Sequence, residues 1–201
     1  MIKIHVNTKN GDLSKIITSA VTWYANKLMS ARMVKSLSIT IKLKKNLSKK
    51  DGDEGRTSWE DTNHRPKEFT IEIDANISTR EIVEVLAHEM VHVKQFATGE
   101  LFQYFTGKHK DMMRWHGQVI SNDVEYWDQP WEIEAYGMQL GLITRWFDAT
   151  ISTMPEIANL ADPAYLARTA TNSHAKISHD HIHPITVLPD WSSTIISNTI
   201  N

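Results

Sequence analysis

Polar and apolar residues alternate in three short stretches of the chain, and this period of two predicts three strands. Residues 2–6 read Ile, Lys, Ile, His, Val and suit a half-buried strand, with Asn10, Gly11 and Asp12 turning the chain after it. Residues 36–43 put Leu37, Ile39, Ile41 and Leu43 on one face, and residues 69–74 (Phe-Thr-Ile-Glu-Ile-Asp) alternate in the same way. Elsewhere the period is helical. Ile16, Ile17, Ala20, Val21, Tyr24 and Leu28 form one stripe on a helix over residues 13–29, flanked by Trp23. A second helix over 79–97 has a marked start: Ser78-Thr79-Arg80-Glu81 fits a capping box, Ile77 and Ile82 can staple it, and Gly99 stops it. A third has Pro130 in its first turn and keeps helical spacing through Ile133, Tyr136, Leu140, Ile143 and Phe147 to residue 149.

The remaining segments are less patterned. Residues 44–67 read as a long surface loop or ragged hairpin, with Lys42, Lys44, Lys45, Lys49 and Lys50 as a solvated charge run. Residues 114–126 predict a strand pair with a turn at Asn122-Asp123, and residues 155–169 a shorter helix. From 171 to 201 Ser, Thr, Asn and His dominate. The expected organisation is therefore one α+β domain over 1–170 and a poorly ordered tail over 171–201, whose His174, His179, Asp180, His181 and His183 read as solvated. In that domain a small twisted sheet packs on the helices near 13 and 79, and the Pro130 helix closes the structure from below.

Composition narrows the chemistry. A chain of 201 residues suits one domain, and a formal net charge of -2 gives no reason to expect nucleic acid or an anionic membrane as the main partner. With Cys 0, disulfides, thiolate nucleophiles and cysteine zinc ribbons are excluded, so any metal ligand must be His, Asp or Glu. No stretch approaches the roughly 18 apolar residues of a membrane span, and the N-terminus has no signal-like apolar core. A soluble, cytoplasmic protein is expected.

Within the second helix stands His88-Glu89-Met90-Val91-His92. Residues four apart sit one turn above each other, so both imidazoles can converge on one cation, while Glu89, rotated by about 100°, can reach a water bound to it. A catalytic zinc takes three protein ligands and keeps one position for water. The third ligand has three candidates: Glu132 and Glu134, at the start of the Pro130 helix, and His116. The two glutamates point about 200° apart on a helix and would not share one ion. With ten His and twelve Glu, the five-residue pattern is expected by chance roughly 0.03 times in such a chain. The bland reading is two surface histidines flanking a glutamate. Trp115, Trp127 and Trp131 read first as core and second as cleft walls, and Tyr126 as a possible oxyanion donor.

The motif His-Glu-Met-Val-His with a downstream Glu-x-x-Ala resembles the gluzincin branch of the zincin metallopeptidases. The segments His-Glu-Met-Val-His-Val-Lys-Gln, Trp-His-Gly and Tyr-Trp-Asp-Gln-Pro-Trp-Glu-Ile-Glu-Ala-Tyr resemble small phage-encoded metallopeptidase-like proteins. The resemblance covers residues 69–147. It implies a zincin-like fold, Zn2+ held by His88, His92 and Glu132 with Ala135 packed beneath, and Glu89 as general base. Related proteins often place an Asp four residues after the ligand Glu, where this chain has Tyr136, or Met138 if Glu134 is the ligand. The function implied is zinc-dependent hydrolysis of peptide bonds in a protein or peptide substrate, in a host cytoplasm or virion if the chain is virus-encoded. The alternatives are a non-catalytic binding or virion structural protein, and a SprT-like DNA-associated peptidase.

Overall fold

The computed structural model describes residues 1–160 other than 62, 106, 109, 110 and 122. Four strands form one mixed sheet in the order β1-β2-β4-β3: β1 (Lys3–Asn7), β2 (Ser38–Lys44) and β4 (Glu68–Asp74) run parallel, and β3 (Gly55–Trp59) is the antiparallel edge beside β4. Ile39 and Ile41 on β2 and Phe69, Ile71 and Ile73 on β4 are buried, as the alternation predicts. Helix α1 (Gly11–Leu28) packs on β1 and on α4 (Thr79–Thr98), which in turn lies against β3, β4 and α5 (Pro130–Thr150). The core sits between sheet and helices. Tyr24 is fully buried there, donates its hydroxyl to the Val83 carbonyl at 3.2 Å and meets the Trp146 ring of α5.

Local chemistry sets the helix ends. Asn10 is not a turn residue but the N-cap of α1, accepting from the backbone N–H of Asp12 and Leu13, so the helix starts at Gly11, two residues before the expected start at residue 13. Ser78 and Glu81 form the expected reciprocal capping box on α4, where a cap of this kind is worth about 1 kcal/mol. Gly99 stops α4 at φ 79, a conformation that favours glycine.

Several segments depart from expectation. A short helix α2 (Ala31–Ser36) precedes β2, and residues 44–67 hold both α3 (Leu47–Asp51) and β3. Strand β3 gave no apolar signal because its inward positions are Gly55, Thr57 and Trp59. The strand pair expected over 114–126 is present as β6 (Met113–Trp115) and β7 (Gln118–Ile120), which join β5 (Leu101–Gln103) in a three-stranded antiparallel sheet. Its β6-β7 turn is His116-Gly117, with φ of 45° and 90°, the two-residue hairpin in which both central residues are left-handed. The expected turn at Asn122-Asp123 includes a residue outside the described set. Helix α5 is rotated relative to its predicted stripe: Ile143 and Phe147 are buried, but Ile133, Tyr136 and Leu140 are exposed, and Trp131, Glu132, Ala135 and Trp146 face inward. Residues Pro155–Leu160 form a 3-10 helix, while 161–169 and the tail with its histidines lie outside the described residues. No helix among the described residues is long and apolar enough to cross a membrane.

Candidate metal centre

His88 and His92 stand one turn apart on the face of α4 that meets α5, and Glu132 reaches them from the first turn of α5, which Pro130 opens. The three side chains are 10 %, 12 % and 10 % exposed. His88 Nε2 lies 3.0 Å from His92 Nε2 and 3.3 Å from one Glu132 oxygen, and His92 Nε2 lies 3.4 Å from the other. In a tetrahedral site with metal bonds of about 2.0 Å, ligand atoms sit about 3.3 Å apart, so the two imidazole nitrogens and the Glu132 carboxylate are close enough to converge on one small ion. Among the described residues this buried group could hold a metal ion, and its one oxygen and two imidazole nitrogens suit zinc as well as other borderline divalent metals.

Glu89 lies beside this group in a cavity of about 230 Å³. Its Oε2 accepts from the Thr57 hydroxyl at 2.7 Å. Strand β3 passes so close to α4 that a Cβ on Gly55 would lie 2.9 Å from Glu89 Oε1 and 2.4 Å from Val85 Cγ1. The edge strand thus carries glycine where the helix approaches and threonine where the carboxylate needs a donor. Burial pushes the Glu89 pKa above the ordinary carboxylate value, against the lowering effect of His92, the Thr57 hydrogen bond and His88.

The other expected residues are spread differently. Glu134 points away from the imidazoles and accepts from Lys94 at 2.9 Å and from Gln95 at 2.9 Å. His116 is an exposed turn residue outside the converging group. Tyr126 donates to Glu132 Oε2 at 2.9 Å, which holds that carboxylate in place. Trp131 is buried beside the site, Trp127 is 68 % exposed, and Trp115 is half-buried on β6. Tyr136, at the position where the resemblance expects an Asp, sets its ring against His88 at 4.5 Å, and His88 Nδ1 is buried with no hydrogen-bond partner among the described residues. Two functional contributors, Thr57 and Gln95, were not singled out from the sequence. Position 95 did carry a signal, a polar residue in the core-facing stripe of α4.

Protonation of the metal-free site has a definite sign. Burial alone would lower the His92 pKa, but hydrogen bonding to Glu132 and the charges of Glu89 and Glu132 outweigh it and raise it above 6.5. Burial alone would raise the Glu132 pKa, but hydrogen bonds from His88 and His92 bring it well below 4.5. The imidazole contribution to stability is complete below 6.5 and is lost as pH rises through the folded value; the Glu132 contribution is present above 4.5 and is lost on acidification through its lowered value. Glu89, raised above 4.5, also loses stability as pH rises. With chelator present, the melting temperature is expected to fall between about pH 6 and about pH 8, whereas with zinc it is expected to rise over the same interval as protons stop competing for His92. Parallel slopes in the two sets of melts would break this reading of the site.

Comparison of the chain with protein-family models, with curated proteins and with solved structures finds no match.

Proposed function

We propose that the chain is a zinc-dependent metallopeptidase of zincin-like fold, in which His88, His92 and Glu132 hold the ion and Glu89 is the general base. The single observation that carries this reading is the convergence of two imidazole nitrogens 3.0 Å apart on the Glu132 carboxylate, whose two oxygens lie 3.3 Å from His88 and 3.4 Å from His92, beside the buried Glu89 carboxylate on the same turn of α4 as the imidazoles. Zinc held there would supply Lewis acidity and make a water easier to deprotonate near neutral pH. Glu89, whose pKa burial raises, takes a proton from the nucleophile and passes it to the leaving amine, while Thr57 keeps one of its oxygens fixed. Tyr126, in the segment before α5, donates to Glu132, and Ala135 is buried one turn further along α5.

A polypeptide substrate is favoured by the cavities that border the centre. The central cavity shares His88, Glu89 and Tyr126 with one of about 450 Å³ walled also by Trp127 and Tyr136. Phe96 is common to its lining and to that of another of about 530 Å³ walled by Trp59, Phe102 and Phe105. An extended chain of several residues can occupy more than one such cavity, whereas a small molecule fills one. A second reading, a binding or virion protein that keeps the metal without turnover, is favoured by one observation, the His88 Nδ1 beside Tyr136, which has no hydrogen-bond partner among the described residues. Purification without chelator followed by metal analysis and digestion of an unfolded protein separates the two. About one zinc per chain and chelator-sensitive cleavage are expected; zinc without cleavage would leave the binding role, and absence of zinc would overturn both.

A further inference from the structure

Gln95 is fully buried on α4, three residues after His92, where a polar side chain costs stability unless all its groups are bonded. Its Nε2 lies 2.9 Å from the Trp131 carbonyl oxygen and 2.9 Å from Glu134 Oε2. Both partners are acceptors, and Lys94 donates to the other oxygen of Glu134 at 2.9 Å. The amide therefore has one satisfactory orientation, with the NH₂ toward α5. Its Oε1 is then left facing His92 Nδ1 at 2.8 Å, and an amide oxygen can only accept.

We propose that Gln95 is the positioning residue of the centre: by accepting from Nδ1–H it fixes His92 in the Nδ1-protonated tautomer and aims the Nε2 lone pair at the metal. This rests on the metal-binding reading above. The site is thereby asymmetric, since His92 is oriented before any metal arrives and His88 has no such partner on its Nδ1 among the described residues. It also gives Glu134 a role that is not ligation: with Lys94 it locks the amide, and the lock ties α4 to α5 immediately behind the ligands.

The decisive measurement needs no variant. Long-range proton–nitrogen NMR of the metal-free wild-type protein, at a pH above the His92 pKa, should show the His92 proton on Nδ1; a proton on Nε2 would overturn the proposal. Cobalt titration then supplies the metal readout. Gln95→Met, which keeps volume but offers His92 no strong acceptor, should weaken cobalt binding about ten- to a hundredfold and alter the visible cobalt absorption. Cobalt affinity in Gln95→Met within a few-fold of wild type would count against Gln95. Failure of the wild type to bind cobalt would count against the metal reading instead, while stoichiometric binding with the Nε2–H tautomer would sink the Gln95 assignment alone.

Discussion

Glu89→Gln is expected to keep its zinc and lose at least about a hundredfold in turnover, the scale on which a general base contributes. The substitution preserves size and an oxygen that can accept from Thr57, so the packing against Gly55 and Val85 need not change. What disappears is the ability to take a proton. Because burial makes the Glu89 carboxylate costly to ionise, the neutral amide should leave the melting temperature at neutral pH unchanged or higher. Lower activity with equal metal and equal or greater stability is a combination that a damaged fold does not produce. A variant that retains zinc and full peptidase activity would remove Glu89 from the mechanism.

The second large effect concerns the ligands. They come from α4 and α5, so metal binding should couple the two helices to folding, and chelation should lower the melting temperature by several degrees. His92→Ala should lose the metal, and Glu132→Ala should lose most of it. Glu134→Ala should cost less metal than Glu132→Ala, because its carboxylate is engaged by Lys94 and Gln95 and does not face the imidazoles. Metal analysis of the purified variants orders them. The reverse order would transfer the third ligand to Glu134, and loss confined to His116→Ala would overturn the carboxylate ligand altogether.

These expectations draw on two kinds of information in the chain. Where structure is governed by neighbours in sequence, it was legible. The capping box at Ser78 and Glu81, the helical stripe from Ile16 to Tyr24 and the alternation at Ile39 and Ile41 all depend on periodicity or on contacts within one turn. The His88–His92 spacing belongs to the same class, because one helical turn alone brings two imidazoles together.

What sequence could not decide depends on how separate elements meet. Nothing local says that α5 turns Glu132 toward α4 and leaves Ile133 and Leu140 outside; the packing of Trp131, Ala135 and Trp146 sets that rotation and so separates the candidate ligand from Glu134. Strand β3 was illegible because the positions that would have advertised it are spent on the site, Gly55 for close approach and Thr57 for the Glu89 carboxylate. His116, a plausible ligand by residue type, is a hairpin turn, since the pairing of β6 with β7 forces both turn residues into positive φ. The sequence by itself determined which helix carries the imidazole pair and the adjacent carboxylate. Which glutamate joins that group, which side chain bonds Glu89, and which acceptors on α5 turn the Gln95 amide so that its oxygen faces His92 follow from packing, because each of these is a contact between elements distant in the chain.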